Sequence, residues 1–217
     1  MIKGIIFDCD GVIVDSEPLF IKAFRMQMDR YGMDVPDIDP METAGTRMEE
    51  VAALVLKKYP QIDRTHEEYL KDQDECIEKV LMGDDLIPMK GFVEFVKKQH
   101  SLGRRMAVAS GSPRNYVEHK LKLFQVDGYF DTIVSGDDVT RSKPDPETYA
   151  LAADRLGFER NEMIAIEDAY LGVKSAKAAG LYVVGFKGGT VKGDTSEADE
   201  EVEEFEDIAI LKESSQL

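Results

Sequence analysis

The chain predicts an α/β fold: a doubly wound parallel sheet with a small all-helical domain inserted after the first strand. Three observations carry this expectation. An apolar run, Gly4-Ile-Ile-Phe7, sits near the N-terminus. The segment after it, up to Gly83, shows helical spacing and no convincing strand. From Pro88 onward short apolar runs alternate with helical patterns, which argues for parallel strands covered on both faces.

The elements follow in order. Ser16 is an expected N-cap, with Pro18 in the first turn and Gly32 as the stop. Between them Leu19, Phe20, Ala23, Phe24 and Met28 recur at helical spacing. Thr46-x-x-Glu49 and Thr65-x-x-Glu68 are capping-box patterns that open helices over 46–59 and 65–82. The first of these should bury a stripe of Val51, Leu54, Val55 and Tyr59. A helix over 91–102 stops at Gly103, and the strand 105–109 follows. Ser110 to Pro113 forms a turn before a helix over 114–124. Next come the strand 132–134, the loop Lys143-Pro-Asp-Pro146, a helix over 147–156 and the strand 163–166. A last helix stops at Gly180 ahead of the strand 182–186. The tail from Glu197 to Asp207 is strongly acidic and reads as a solvated face. Residues 1–15 and 86–217 thus form the α/β core, and 16–85 the helical insert.

Composition narrows the function. A chain of 217 residues, 43% hydrophobic, can bury a sizeable core. Its net charge of −16 disfavours nucleic acid and anionic membrane as partners, and favours a soluble monomer. No apolar run reaches membrane-spanning length, and aspartates interrupt the N-terminal apolar segment before it could serve as a signal peptide. Cys9 and Cys76 are too few for a disulfide framework, which fits a reducing cytoplasm. Cys9 reads as a buried packing residue. His66, His100 and His119 lack metal-ligand spacing.

Chemistry gathers at the ends of the apolar runs. Asp8 and Asp10 are spaced i, i+2, which a strand places on one side. Two carboxylates so close repel unless a cation or shared proton compensates. The pair therefore suggests a divalent metal, acid–base chemistry or both; the alternative is a strand ending in a polar turn at Gly11. Ser110 ends a second run, and Glu167-Asp168 a third. Lys143 lies in a loop between a strand and a helix. In parallel sheets ligands bind at the carboxyl ends of strands, where all of these could meet. Four carboxylates, Asp8, Asp10, Glu167 and Asp168, would need a cation, and oxygen-only donors suit magnesium (Mg2+). The Ser110 hydroxyl beside backbone amides can hold a phosphoryl group, and Lys143 supplies a point charge.

The set resembles the haloacid dehalogenase-like phosphohydrolase superfamily over nearly the whole chain. Phe7-Asp-Cys-Asp-Gly-Val12 resembles its first motif, Val108-Ala-Ser-Gly-Ser112 its second, Lys143-Pro-Asp-Pro146 its third and Ile166-Glu-Asp-Ala-Tyr-Leu-Gly172 its fourth. The insert is similar to the family's type-1 cap on a Rossmann-like core. The stretch Asp8 to Ser16 is similar to the subgroup of β-phosphoglucomutase and sugar-phosphate phosphatases. The resemblance implies Asp8 as nucleophile, forming an aspartyl phosphate, and Asp10 as acid–base. It implies magnesium held by Asp8, the Asp10 backbone carbonyl and Asp168, with Glu167 direct or through water. Ser110, Gly111 and Lys143 would bind the phosphoryl oxygens. Closure of the cap about linkers near 14–17 and 84–91 would exclude bulk water.

The resemblance also separates two outcomes. The mutase pattern has a histidine where Phe20 stands, and its cap lysine falls near Gln73, with Lys71 close by. Arg47 matches a cap arginine that contacts substrate. The favoured reading is a magnesium-dependent phosphatase of a small phosphorylated sugar or polyol. The alternative is a β-phosphoglucomutase-type mutase. A non-enzymatic phospho-receiver module fits poorly, because receivers lack a helical insert. A dehalogenase would leave Glu167, Asp168 and Asp10 superfluous.

Overall fold

The computed structural model describes residues 1–34, 48–84 and 86–213. It divides into two compact units, Met1–Ser16 with Asp84–Leu217, and Glu17–Gly83.

The larger unit is built on six parallel strands: β1 (Gly4–Phe7), β2 (Arg105–Ala109), β3 (Thr132–Val134), β4 (Met163–Glu167), β5 (Tyr182–Phe186) and β6 (Glu200–Val202). Their order is β3-β2-β1-β4-β5-β6. The chain runs outward from β1 through β2 to β3, then returns to the other side of β1 for β4. The sheet therefore reverses winding between β1 and β4, the kind of switch point where a crevice opens at the carboxyl edge. Phe7 pairs in register with Val108 of β2 and Ile166 of β4. β1 thus ends one residue short of its two neighbours, and all three leave the sheet at one edge.

Alternation along β1 sends Ile6 to one face and Phe7 to the other. Ile6 joins Ala107, Ala165 and Val183 under α6 (Glu147–Leu156) and α7 (Tyr170–Ala178), where Tyr149, Ala152, Leu156, Val173 and Ala176 meet them. Phe7 packs edge-on against Phe92 and Phe95 of α4 (Phe92–Ser101), with ring centroids 5.7 and 6.0 Å away. The helix α5 (Arg114–Leu123) follows β2. Burying these aromatic and aliphatic side chains supplies the main drive for assembly of the sheet.

The acidic tail differs from its expected role as a solvated face. It contributes β6 and the short helix α8 (Ala209–Glu213). Val202, Phe205, Ile208 and Leu211 are all buried, and Phe205 stacks on Phe186 at 4.3 Å. These four apolar residues recur every third position among the acids. Their burial outweighs the segment's charge because the carboxylates point outward to lysines. The strand predicted over 163–166 also runs one residue further, to Glu167.

The smaller unit holds α1 (Glu17–Arg30), α2 (Met48–Lys58) and α3 (His66–Leu81). The expected capping box opens α3: the Glu68 amide donates to Thr65 Oγ1 at 3.2 Å and the Thr65 amide to Glu68 Oε2 at 2.8 Å. Thr46 of the other capping pattern lies outside the described residues. The core joins Phe24, Met28, Val51, Ala52, Val55, Ile62 and Tyr69. Leu54, expected on the buried stripe, is 49% exposed, and Ala52 takes a place in the core. Positions 51, 52, 55 and 59 define the packed face, and at 100° per residue Leu54 falls roughly 110° from its centre. Gln27 is buried among these residues and donates to the Tyr69 carbonyl at 2.9 Å. Among the described residues no helix is long and apolar enough to cross a membrane.

Candidate active site at the carboxyl edge of the sheet

Asp8 follows β1 and its amide donates to the Ile166 carbonyl at 2.9 Å, which extends the ladder by one residue. Glu167 ends β4, and Asp168 follows it. Oxygens of Asp8, Glu167 and Asp168 all lie within 4.8 Å of one another. Two glycines make room for them. A side chain at Gly11, whose φ is +84°, would overlap the Asp168 carboxylate, and one at Gly172 would overlap the Glu167 carboxylate.

Lys143 reaches this cluster from the loop before α6. Its Nζ lies 2.6 Å from Asp8 Oδ1 and 2.6 Å from Glu167 Oε1. The loop is pinned from α7, where Ser175 Oγ donates to the Asp145 carbonyl at 2.6 Å. The ammonium also lies 4.8 Å from the centroid of the Tyr149 ring, a cation–π contact that steadies it from below. The second Glu167 oxygen accepts the Ala169 amide at 2.8 Å. Glu167 is therefore tied on both sides.

Asp8 and Glu167 share one lysine with Asp168 beside them, and the imbalance is visible in the acidity of Asp8 and Asp168. Burial pushes Asp8 up to about 7; Glu167 and Asp10 add to the rise, and Lys143 opposes it. Burial pushes Asp168 up to about 9, with Glu167 and Asp8 adding to it. Burial works against charge on Lys143 too, but its two carboxylate partners outweigh that and raise its pKa. The donor chemistry fits a hard divalent cation: all-oxygen, anionic, and short of positive charge.

Asp10 stands apart from the other three. Its carboxylate turns to Lys120 Nζ, 2.8 Å from Oδ1, and accepts Ser112 Oγ–H at 2.8 Å on Oδ2. Burial would raise its pKa, but the charge and hydrogen bond of Lys120 and the bond from Ser112 hold it below its ordinary value. The expected group of four carboxylates is thus a cluster of three and a separate, cation-paired fourth. Ser110 follows β2, buried, and its Oγ accepts the Ser112 amide at 3.0 Å. Gly111 follows it in a tight turn whose carbonyl a side chain at Gly136 would overlap. Cys9 is buried as expected, with the Lys120 ammonium 3.7 Å from its sulfur.

Asp8, Asp10, Ser110, Gly111, Lys143, Glu167 and Asp168 therefore come to one edge, while Arg47 lies outside the described residues. Lys120 and Ser112 are the polar partners that sequence reasoning missed. For Lys120 a signal existed: it sits on α5 in a stripe with Val117, Leu121 and Phe124, where an apolar residue belongs.

Known proteins carry the same pattern. Residues 5–186 match the family described as haloacid dehalogenase-like hydrolase. The fructose-1-phosphate phosphatase YqaB of Escherichia coli (strain K12) is 34% identical over 182 residues, covering 83% of this chain and 94% of that protein. The phosphorylated carbohydrates phosphatase of Thermotoga maritima is 30% identical over 183 residues, 82% of each chain. A crystal structure from Thermotoga maritima, provisionally named a β-phosphoglucomutase, superposes with a TM-score of 0.84 at 28% identity, covering 98% of this chain and 99% of that one. The six-stranded parallel sheet, the clustered carboxylates and these matches together settle the family: the chain belongs to the haloacid dehalogenase-like hydrolases.

Proposed function

We propose that this phosphoric monoester hydrolase releases phosphate from a small phosphorylated carbohydrate, a sugar or polyol phosphate, by way of an aspartyl phosphate on Asp8. The observation that carries the reading is the division of labour among the carboxylates. Asp8 clusters with Glu167 and Asp168 and shares Lys143 with Glu167, whereas Asp10 has its own cation. This division supports Asp8 as the nucleophile and Asp10 as the acid–base.

Asp8 would attack phosphorus in line with the leaving oxygen. Ser110, the Gly111 amide and Lys143 would bind the other phosphoryl oxygens and orient them. Asp10 would pass a proton to the departing alkoxide, against the pull of Lys120 toward its charged form. It would then take a proton from the water that attacks the aspartyl phosphate, freeing inorganic phosphate and Asp8. Magnesium would be held by Asp8, the Asp10 backbone carbonyl and Asp168, with Glu167 direct or through water. When bound, it would offset the negative charge of nucleophile and phosphoryl group. The setting would be a reducing cytoplasm, in keeping with the two free, buried cysteines.

The test is a panel of sugar and polyol phosphates incubated with magnesium, reading free phosphate and isomerised sugar phosphate together. Free phosphate should exceed isomer for the best substrate and vanish with a chelator. Isomer in excess would replace this reading with the mutase. Turnover of no phosphate ester would overturn it.

A further inference from the structure

We propose that Lys120 is a positioning residue for the acid–base step, holding the Asp10 carboxylate in the orientation from which it protonates the leaving group. The inference rests on the phosphatase reading above and goes beyond it, to a residue outside the four motifs.

Lys120 is 0% exposed. A buried ammonium is strongly unfavourable unless a well-placed partner compensates. Its neighbours on α5, Val117 and Leu121, are both buried, so the side chain extends from an otherwise apolar stripe. Its Nζ lies 2.8 Å from Asp10 Oδ1 and 3.7 Å from Cys9 Sγ. The carboxylate is the nearer partner and the charge that answers the lysine. The other Asp10 oxygen is held by Ser112 Oγ at 2.8 Å. A carboxylate bonded at both oxygens by groups from two elements has its plane fixed. One support comes from α5, and the other from the loop after β2 that also carries Ser110. Among the described residues the Lys120 ammonium bonds Asp10 and Cys9, so its effect reaches the chemistry through Asp10.

General-acid help matters most when the leaving group is poor. An alkoxide departs with difficulty, whereas 4-nitrophenolate departs readily without a proton. The ratio of kcat/KM for an alkyl phosphate to that for 4-nitrophenyl phosphate therefore reads the acid step. It is insensitive to a uniform loss of folded enzyme, and kcat/KM excludes the later hydrolysis of the aspartyl phosphate. Lys120→Met should lower that ratio about tenfold or more. Asp10→Ala should lower it further, and adding Lys120→Met to Asp10→Ala should lower it no more, as expected for two residues acting as one unit. Should Lys120→Met fail to fold, Ser112→Ala removes the opposite support and should shift the ratio the same way. An unchanged ratio, with both esters slowed equally or not at all, would overturn the proposal. A wild-type protein that hydrolyses neither ester would instead overturn the phosphatase reading itself, and this role with it.

Discussion

Two acidic regions of this protein look alike in composition and behave in opposite ways. At the carboxyl edge of the sheet Asp8 and Glu167 converge on Lys143, and Asp168 lies beside them. Along the tail, Asp199 pairs with Lys177, Glu201 with Lys187, Glu203 with Lys192 and Glu204 with Lys90. The tail is the denser in charge, yet each of these acids has its own lysine and keeps part of its side chain in water. The edge has fewer acids, but they are largely taken out of water and outnumber their cation. Reactive potential tracks this shortfall of compensation under burial, and not the density of charge.

The largest effect that tests the contrast is Asp8→Asn. Removing the nucleophile should cut phosphate release by about a thousandfold or more, roughly 4 kcal/mol of barrier. The melting temperature in metal-free buffer should hold or rise, because one of three mutually repelling carboxylates is gone. Full activity would end the assignment of Asp8. A steep fall in melting temperature would mean that the carboxylate is a structural support and the edge no more strained than the tail.

Lys143→Met comes next and acts in the other sense. It leaves Asp8 and Glu167 buried beside each other without their shared cation. Breaking a buried pair in this way should cost about 3–5 kcal/mol, read as a lowered urea midpoint. A negligible shift would show that water reaches the cluster freely, and the distinction between edge and tail would collapse.

Much of this contrast was legible in the sequence, and the exceptions have physical causes. The strand ends were visible because buried parallel strands read as short apolar runs, and Asp8, Ser110, Lys143 and Glu167 all follow such runs or lie in the loops between them. The direction of the Asp10 side chain was not. The i, i+2 rule holds only inside a strand, and β1 ends at Phe7. The backbone then bends at Cys9, so Asp8 and Asp10 part company. Lys120 was hidden because Arg114–Leu123 is rich in charge and resembles a solvent-facing helix. The strand β6 was hidden in the same way, its apolar residues outnumbered by acids. In both places average composition masked position. A single buried lysine, or four apolar residues three apart, decides the packing that an average cannot register.

The smallest expected effect closes the comparison from the tail side. Glu203 and Lys192 form a close pair, with side chains 70% and 52% exposed. Such a pair gains little in high dielectric and spends that gain on ordering two long side chains. Glu203→Gln should therefore leave the urea midpoint and the turnover unchanged within scatter. The neighbouring Val202 and Phe205 hold the segment to the sheet through buried apolar contact, which the substitution does not touch. A drop approaching that of Lys143→Met would mean the tail's carboxylates anchor β6 by charge. The two acidic regions would then differ in exposure alone, and a shortfall of cations could no longer be what sets the edge of the sheet apart.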